Sequence, residues 1–209
     1  MKLVIFGSTG SIGSHVVKQA LEQGHTVTAF VRNPNKLNLQ HPNLNIFTGD
    51  VMNPALVEAA VIGHDAAICI LGSGKKLSGN VRSQGTKNII QALEKAGIKR
   101  FICQSTLGAG DSWSNLNFYW KYIMFGFILR KVFADHQIQE KYVQHSNLDW
   151  TIIRPGAFIE GTRTGKYRHG FPKSDRTSSL TISRPDVADF ILKQLTDNTY
   201  LGKAASLSY

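Results

Sequence analysis

Short apolar runs punctuate this chain at Leu3–Phe6, Val27–Val31, Leu44–Phe47, Ala66–Leu71, Phe101–Cys103 and Trp150–Ile153, and segments with helical spacing lie between them. The runs are apolar on successive positions rather than every second one, so both faces of each predicted strand need cover. Helices on two sides of a parallel sheet provide it. The βαβ alternation continues to about residue 195. With right-handed crossovers it predicts an α/β fold, a doubly wound parallel sheet (Rossmann fold) in a single domain, with its ligand crevice at the carboxyl ends of the strands. The punctuation agrees: Asn53-Pro54 reads as an N-cap followed by proline at the first helical position, Gly24 and Gly97 stop helices, and Arg184-Pro185-Asp186 opens the last one.

The first run leads into Gly7-Ser8-Thr9-Gly10-Ser11-Ile12-Gly13, and the helical pattern Val16–Leu21 leads out of it. Gly7 suits the tight turn at the end of a strand, Gly10 lets the backbone approach a pyrophosphate, and Gly13 lets the helix pack on the strand. Free amides and a positive dipole end favour a diphosphate there, so the heptapeptide reads as a dinucleotide site.

Later strand ends refine the ligand. After the second strand, where NAD-preferring domains carry an acid, stands Phe30-Val-Arg-Asn33, with no acid until Asp50. Arg32 can grip a 2′-phosphate and Lys36 can add a second charge, which favours NADP(H) over NAD(H); the plain alternative for Arg32 is an exposed loop cation. Asp50 and Val51, after the third strand, fit either a reading of the adenine edge or a Gly-Asp turn. Leu71, Gly72 and Ser73 end the fourth strand beside the nicotinamide ribose position, or form an ordinary loop. Ser105 and Thr106 end the fifth and offer hydroxyls to a substrate or to the nicotinamide, or merely cap a strand. No Tyr-x-x-x-Lys pair exists, since Tyr119, Tyr122, Tyr142 and Tyr167 each lack a lysine four residues on, so the usual proton donor of short-chain reductases is missing.

Composition bounds the class. The chain has 209 residues, 42% hydrophobic and 18% charged, which suits one globular unit spanning 1–209. No apolar run reaches the roughly 18 residues of a transmembrane segment, and a strand starting at Lys2 leaves no place for a signal peptide, so a cytoplasmic protein is expected. Cys69 and Cys103 sit inside apolar runs and read as buried thiols, not a disulfide or a metal pair. Net charge is +10, and residues 161–185 hold six bases against the single acid Asp175. That loop region suits a solvated surface or a small anion better than nucleic acid, for which no motif is present.

Residues 117–133 carry Phe118, Tyr119, Trp120, Tyr122, Phe125, Phe127 and Phe133 beside Lys121, Arg130 and Lys131. Core packing, a homodimer interface, a stacking wall for a flat substrate and a membrane-surface contact all remain open for this segment. Tyr119 and Trp120 are the rings proposed to meet substrate. His136 and Glu140, one helical turn apart, read as a surface i, i+4 pair rather than an acid–base couple, though both could face the crevice.

These motifs, together with Val31-Arg-Asn-Pro-Asn-Lys36, Thr48-Gly-Asp-Val51, Ile70-Leu-Gly-Ser73, Asp135-His136, Arg154-Pro-Gly156, Thr164-Gly-Lys-Tyr167 and Ile182-Ser-Arg-Pro-Asp-Val187, resemble the atypical short-chain dehydrogenase/reductases of the NAD(P)-binding, NmrA-like group, including its biliverdin reductase B-like flavin reductases. The resemblance spans nearly the whole chain. It implies that Thr9, Ser11 and Ile12 line the diphosphate, that Arg32 and Lys36 hold the 2′-phosphate, and that Asp50 and Val51 frame adenine. It also implies that Leu71, Gly72, Ser105 and Thr106 border the nicotinamide, and that Pro155 and Gly156 close over it. The flavin reductases carry a histidine where this chain has Ala157 at the substrate side. Substrate-side elements are expected at about 107–135 and 157–180. The implied activity is hydride transfer from NADPH to a small planar acceptor such as a flavin or quinone. The alternative is a non-catalytic NADP(H)-binding redox sensor that acts through a protein partner.

Overall fold

A computed structural model describes residues 1–72, 79–173 and 175–209. Its strands are Lys2–Phe6 (β1), Thr26–Val31 (β2), Leu44–Thr48 (β3), Ala66–Cys69 (β4), Arg100–Gln104 (β5), Asp149–Pro155 (β6), Ala157–Ile159 (β7), Arg168–His169 (β8), Thr181–Ser183 (β9) and Lys203–Ser208 (β10). The main sheet has the order β3-β2-β1-β4-β5-β6-β10-β8, and β7 pairs with β9 in a small second sheet. Every pairing in the main sheet is parallel except that of β10 with the two-residue β8. Strand order reverses between β1 and β4, so a crevice opens at their carboxyl ends.

The helices are Gly13–Glu22 (α1), Pro54–Val61 (α2), Val81–Ala96 (α3), Arg130–Gln144 (α4) and Arg184–Lys193 (α5). The unbroken apolar runs now have their cause: Leu3 and Ile5 point to a core built with Val16, Val17, Val187 and Ile191 of α1 and α5, while Val4 and Phe6 point to one built with Val57, Ile89, Leu93 and Val143 of α2, α3 and α4. Asn53 caps α2, accepting from the Ala55 and Leu56 amides at 3.1 and 3.4 Å, and Gly97 ends α3 in the left-handed conformation with φ 72°. Ser183 caps α5.

Strands β7 to β10 were not predicted. The first three have only two or three residues, and β10 reads Lys-Ala-Ala-Ser-Leu-Ser, too small and polar to mark a run. Parallel pairing with β6 buries Ala205 and Leu207 nonetheless. The Thr164–Tyr167 and Ile182–Val187 motifs meet here. Asp186 accepts from the Thr164 and Gly165 amides at 2.8 and 2.9 Å, from the Thr164 hydroxyl at 2.8 Å and from the Tyr209 hydroxyl at 2.6 Å, which staples the loop to the start of α5.

Over the strand ends lies a third cluster, formed by Leu107, Leu116, Phe125, Phe133 and Leu180 with Trp113, Trp120 and Phe171 against it. The two substrate-side segments thus pack on each other, and Asn115 Nδ2 ties them by donating to the Pro172 carbonyl at 2.8 Å. A π-helix, Tyr119–Ile128, runs through this region into α4.

Beneath it, Arg154 of β6 is buried and donates to both oxygens of Glu140 from Nε at 2.9 Å and Nη2 at 2.7 Å, with Asp111 on Nη1. Glu140 is therefore not half of an exposed helix pair: it neutralises a guanidinium that burial would otherwise strand. Glu140→Ala should lower unfolding free energy by about 3–5 kcal/mol in guanidinium titrations, since it leaves a buried charge partly unpaired, and Glu140→Gln should cost less.

Candidate functional site

The glycine turn is built by exclusion. Gly7 has φ 91°, and a side chain there would overlap the Ile70 carbonyl, while one on Gly13 would overlap the carbonyl of Gly7. The start of α1 therefore sits against the end of β1. No acid occupies its first turn and, among the described residues, no side chain caps it; the Ser14 amide bonds to the Gly10 carbonyl at 3.0 Å, and the dipole with the other first-turn amides remains available to an anion. A Cβ on Gly10 would stand 3.1 Å from the Gly7 oxygen, with nothing else within 4 Å. Ser8 is fully buried and donates its hydroxyl to the Ile5 carbonyl at 2.6 Å, so that side chain secures the turn rather than facing a ligand.

A cavity of about 620 Å³ starts at this turn and is lined there by Gly7, Thr9, Gly10, Ser11 and Ile12. Arg32, Lys36, Asp50 and Val51 border one end, Leu71 and Gly72 the middle, and Ser105, Thr106, Pro155, Gly156 and Ala157 the far side. Ser73 lies outside the described residues. Arg32 and Lys36 are exposed and belong to no ion pair among the described residues. Asp50 closes an Asx-turn, accepting from the Met52 amide at 2.9 Å, and still borders the cavity, so both alternatives for it hold together.

Among the described residues the buried Ser105 hydroxyl has no hydrogen-bond partner, which is costly unless a ligand supplies one. Thr106 donates weakly to the Leu107 carbonyl at 3.3 Å. Trp120 and Phe125 form part of the wall, their ring centroids 5.7 Å apart, and Phe125 stacks on Phe133 at 4.5 Å. Tyr119 does not line the cavity. It lies on the outer side of the π-helix with half its surface exposed, its ring meeting that of Trp120 edge-on at 5.9 Å.

Several lining residues escaped the sequence reading, notably Arg82, Phe158 and Leu180, and His136 lines the cavity instead of pairing with Glu140 on the surface. Asp135 explains why the Asp-His pair occurs: its carboxylate accepts from the Arg82 and Ser83 amides, each at 3.1 Å, and so caps α3 from α4. His136 beside it is buried rather than exposed. Gln139 donates from Nε2 to Thr86 Oγ1 at 3.0 Å and to Cys103 Sγ at 3.3 Å, which turns Oε1 toward His136 Nδ1 at 3.0 Å. That ring nitrogen must then carry the hydrogen, and Nε2 keeps its lone pair. Burial, helped by the Arg82 charge, depresses the His136 pKa to about 3. It is a neutral acceptor at the cavity wall. Cys69 and Cys103 are free and buried, paired in register across β4 and β5, and burial pushes the Cys103 thiol up.

The basic loop expectation is partly absorbed internally: Arg168 pairs with Asp175 at 2.7 Å, Lys173 with Asp111 at 3.5 Å and Arg184 with Glu160 at 2.5 Å. No helix among the described residues is long and apolar enough to cross a membrane.

A glycine turn at the strand-order reversal, with a helix start and the carboxyl ends of β4 and β5 opening on one cavity, defines a dinucleotide-binding Rossmann domain. Residues 7–198 match the NAD(P)H-binding family, and the chain belongs to that family. UPF0659 protein YMR090W of Saccharomyces cerevisiae is 29% identical over 99% of this chain and 92% of its own length. Among solved structures, the oxidoreductase ylbE from Lactococcus lactis superposes with a TM-score of 0.85 at 30% identity, covering 100% of this chain and 90% of its own. ChuY, an anaerobillin reductase from Escherichia coli O157:H7, has a TM-score of 0.81 at 27% identity, covering 100% and 97%. The NAD(P)-binding family read from the motifs is borne out.

The buried imidazole makes a pH prediction. The folded-state pKa of His136 lies below its ordinary 6.5, so the unfolded chain takes up this proton first as pH falls. Its effect on stability is absent above about 6.5 and grows to about 1.4 kcal/mol of loss per pH unit down toward 3. Denaturant titrations from pH 8 to 4 should show this decline, and His136→Gln should flatten it.

Proposed function

We propose that the chain is an NADPH-dependent reductase that passes hydride to a planar acceptor such as a flavin or quinone. The observation that carries this reading is the continuity of one cavity from two unpaired cations, Arg32 and Lys36, past the glycine turn to the orphaned Ser105 hydroxyl and on to the Trp120–Phe125 wall. In it, Arg32 and Lys36 hold the 2′-phosphate, Thr9 to Ile12 receive the diphosphate, and Asp50 and Val51 bound the adenine. Leu71 and Gly72 border the ribose beside the nicotinamide, and Pro155 and Gly156 close over the ring.

The cofactor, when bound, supplies the hydride. Ser105 gives the nicotinamide end a hydrogen bond that fixes its face, and Thr106 stands next to it. Trp120 and Phe125 stack the acceptor, with Ala157 leaving room at the substrate side. His136 Nε2 accepts a hydrogen bond from an acceptor N–H or O–H. A neutral His136 has no proton to give from Nε2, and no Tyr-x-x-x-Lys pair is present, so the proton that completes reduction comes from water. Flavins and quinones tolerate this, whereas ordinary carbonyls need a placed acid. The anaerobillin reductase activity of ChuY supports reduction as the reaction class.

Calorimetric titration should give NADPH a lead over NADH of about tenfold or more, from charge-assisted contacts of about 1.5–3 kcal/mol, and Arg32→Ala should erase most of it. Equal affinities in the unaltered protein would sink the preference.

Steady-state NADPH oxidation against flavin and quinone panels tests turnover. Trp120→Ala should raise the acceptor KM about tenfold with little change in melting temperature, while Tyr119→Ala, off the cavity, should leave KM unchanged. Tight NADPH binding with no turnover on any acceptor would instead favour a redox sensor.

A further inference from the structure

The outer side of the π-helix is unlike the rest of the surface. Phe118, Tyr119, Tyr122, Ile123, Phe127 and Ile128 are all exposed, Phe127 by 84% and Phe118 by 70%. Phe118 and Tyr122 rest on each other at 4.9 Å instead of turning inward. This is a contiguous apolar ridge, which soluble monomers seldom leave bare.

Its charge narrows what can cover it. Between Asp111 and Asp135 the chain has no acid, but it has Lys121, Arg130 and Lys131. Arg130 and Lys131 are exposed, and none of the three forms an ion pair among the described residues. A second copy laid two-fold on this ridge would set bases against bases with no carboxylate of the ridge to meet them. Aromatic rings flanked by Lys and Arg are instead the composition of a helix that lies in a lipid interface.

We infer that the π-helix docks the protein on an anionic membrane surface. Phe118, Tyr122 and Phe127 enter the boundary between headgroups and acyl chains, and Lys121, Arg130 and Lys131 meet the headgroup phosphates. The opposite side of the same helix, through Trp120 and Phe125, is the wall of the cavity. Docking therefore sets the acceptor end of the cavity beside the bilayer, which selects an apolar planar acceptor dissolved in lipid. That last step rests on the reductase reading; the docking does not.

Vesicle flotation at low salt tests it, with phosphatidylcholine alone and phosphatidylcholine mixed with phosphatidylglycerol. The protein should float with the anionic vesicles and far less with the neutral ones. Phe127→Asp, and separately Arg130→Glu with Lys131→Glu, should each lower binding by at least about tenfold, with melting temperature and NADPH oxidation by a water-soluble flavin unchanged. Failure to float, or flotation untouched by both variants, overturns the inference. So does a dimer in light scattering that Phe127→Asp splits, because the ridge would then belong to a second copy. Flotation without turnover on any soluble acceptor upholds docking and removes the reductase reading alone.

Discussion

The contact between the start of α1 and the end of β1 decides where everything else in the site stands. Gly13 lies so close to the Gly7 carbonyl that no side chain fits between them, and Gly7 itself lies against the Ile70 backbone. Three backbone segments therefore converge where strand order reverses, with helix amides facing outward. The crevice forms there because nothing larger than hydrogen can fill those two positions. Strands β2 and β3 then deliver Arg32 and Asp50 to one side, and β4 and β5 deliver Gly72 and Ser105 to the other.

The fold and the glycine-turn side of the cavity were legible because each depends on local rules. Continuous apolar runs announce two-sided burial, and the glycine spacing announces the turn. Thr9 to Ile12, Arg32, Lys36, Asp50, Val51, Leu71 and Gly72 border the cavity for that reason, and Pro155 and Gly156, expected from the family resemblance, border it too. The aromatic side of the cavity was less legible. Local periodicity cannot show that a helix will widen to π geometry, nor that of the two adjacent rings Tyr119 and Trp120, which meet edge-on, only Trp120 borders the cavity. Nor can it show that polar residues will be buried once partnered across the fold: His136, Gln139, Glu140 and Arg154 have the letters of a solvated surface, and each is satisfied by a group from another turn or another element. β10 was missed for the opposite reason, since small residues bury well but announce little.

The capping of α3 by Asp135 and the pairing of Glu140 with Arg154 both issue from α4. This one helix thus fixes the α3 terminus, braces β6 and presents His136. The π-helix leads straight into it, so the aromatic wall inherits its position from the most polar part of the interior. Packing alone would hold these rings less specifically, because apolar contacts tolerate sliding whereas a forked guanidinium–carboxylate pair does not.

A hydrogen-bond chain also has a direction. Starting at Cys103 of β5 and Thr86 of α3, it runs through the amide of Gln139 to the imidazole and ends as a lone pair at the cavity wall. The polarity a bound molecule meets is thus written several residues inside the core. Rotating that one amide would swap the ring's hydrogen to the other nitrogen and turn an accepting wall into a donating one. A lineage of such proteins can consequently change which face of a molecule it welcomes through residues that never touch that molecule.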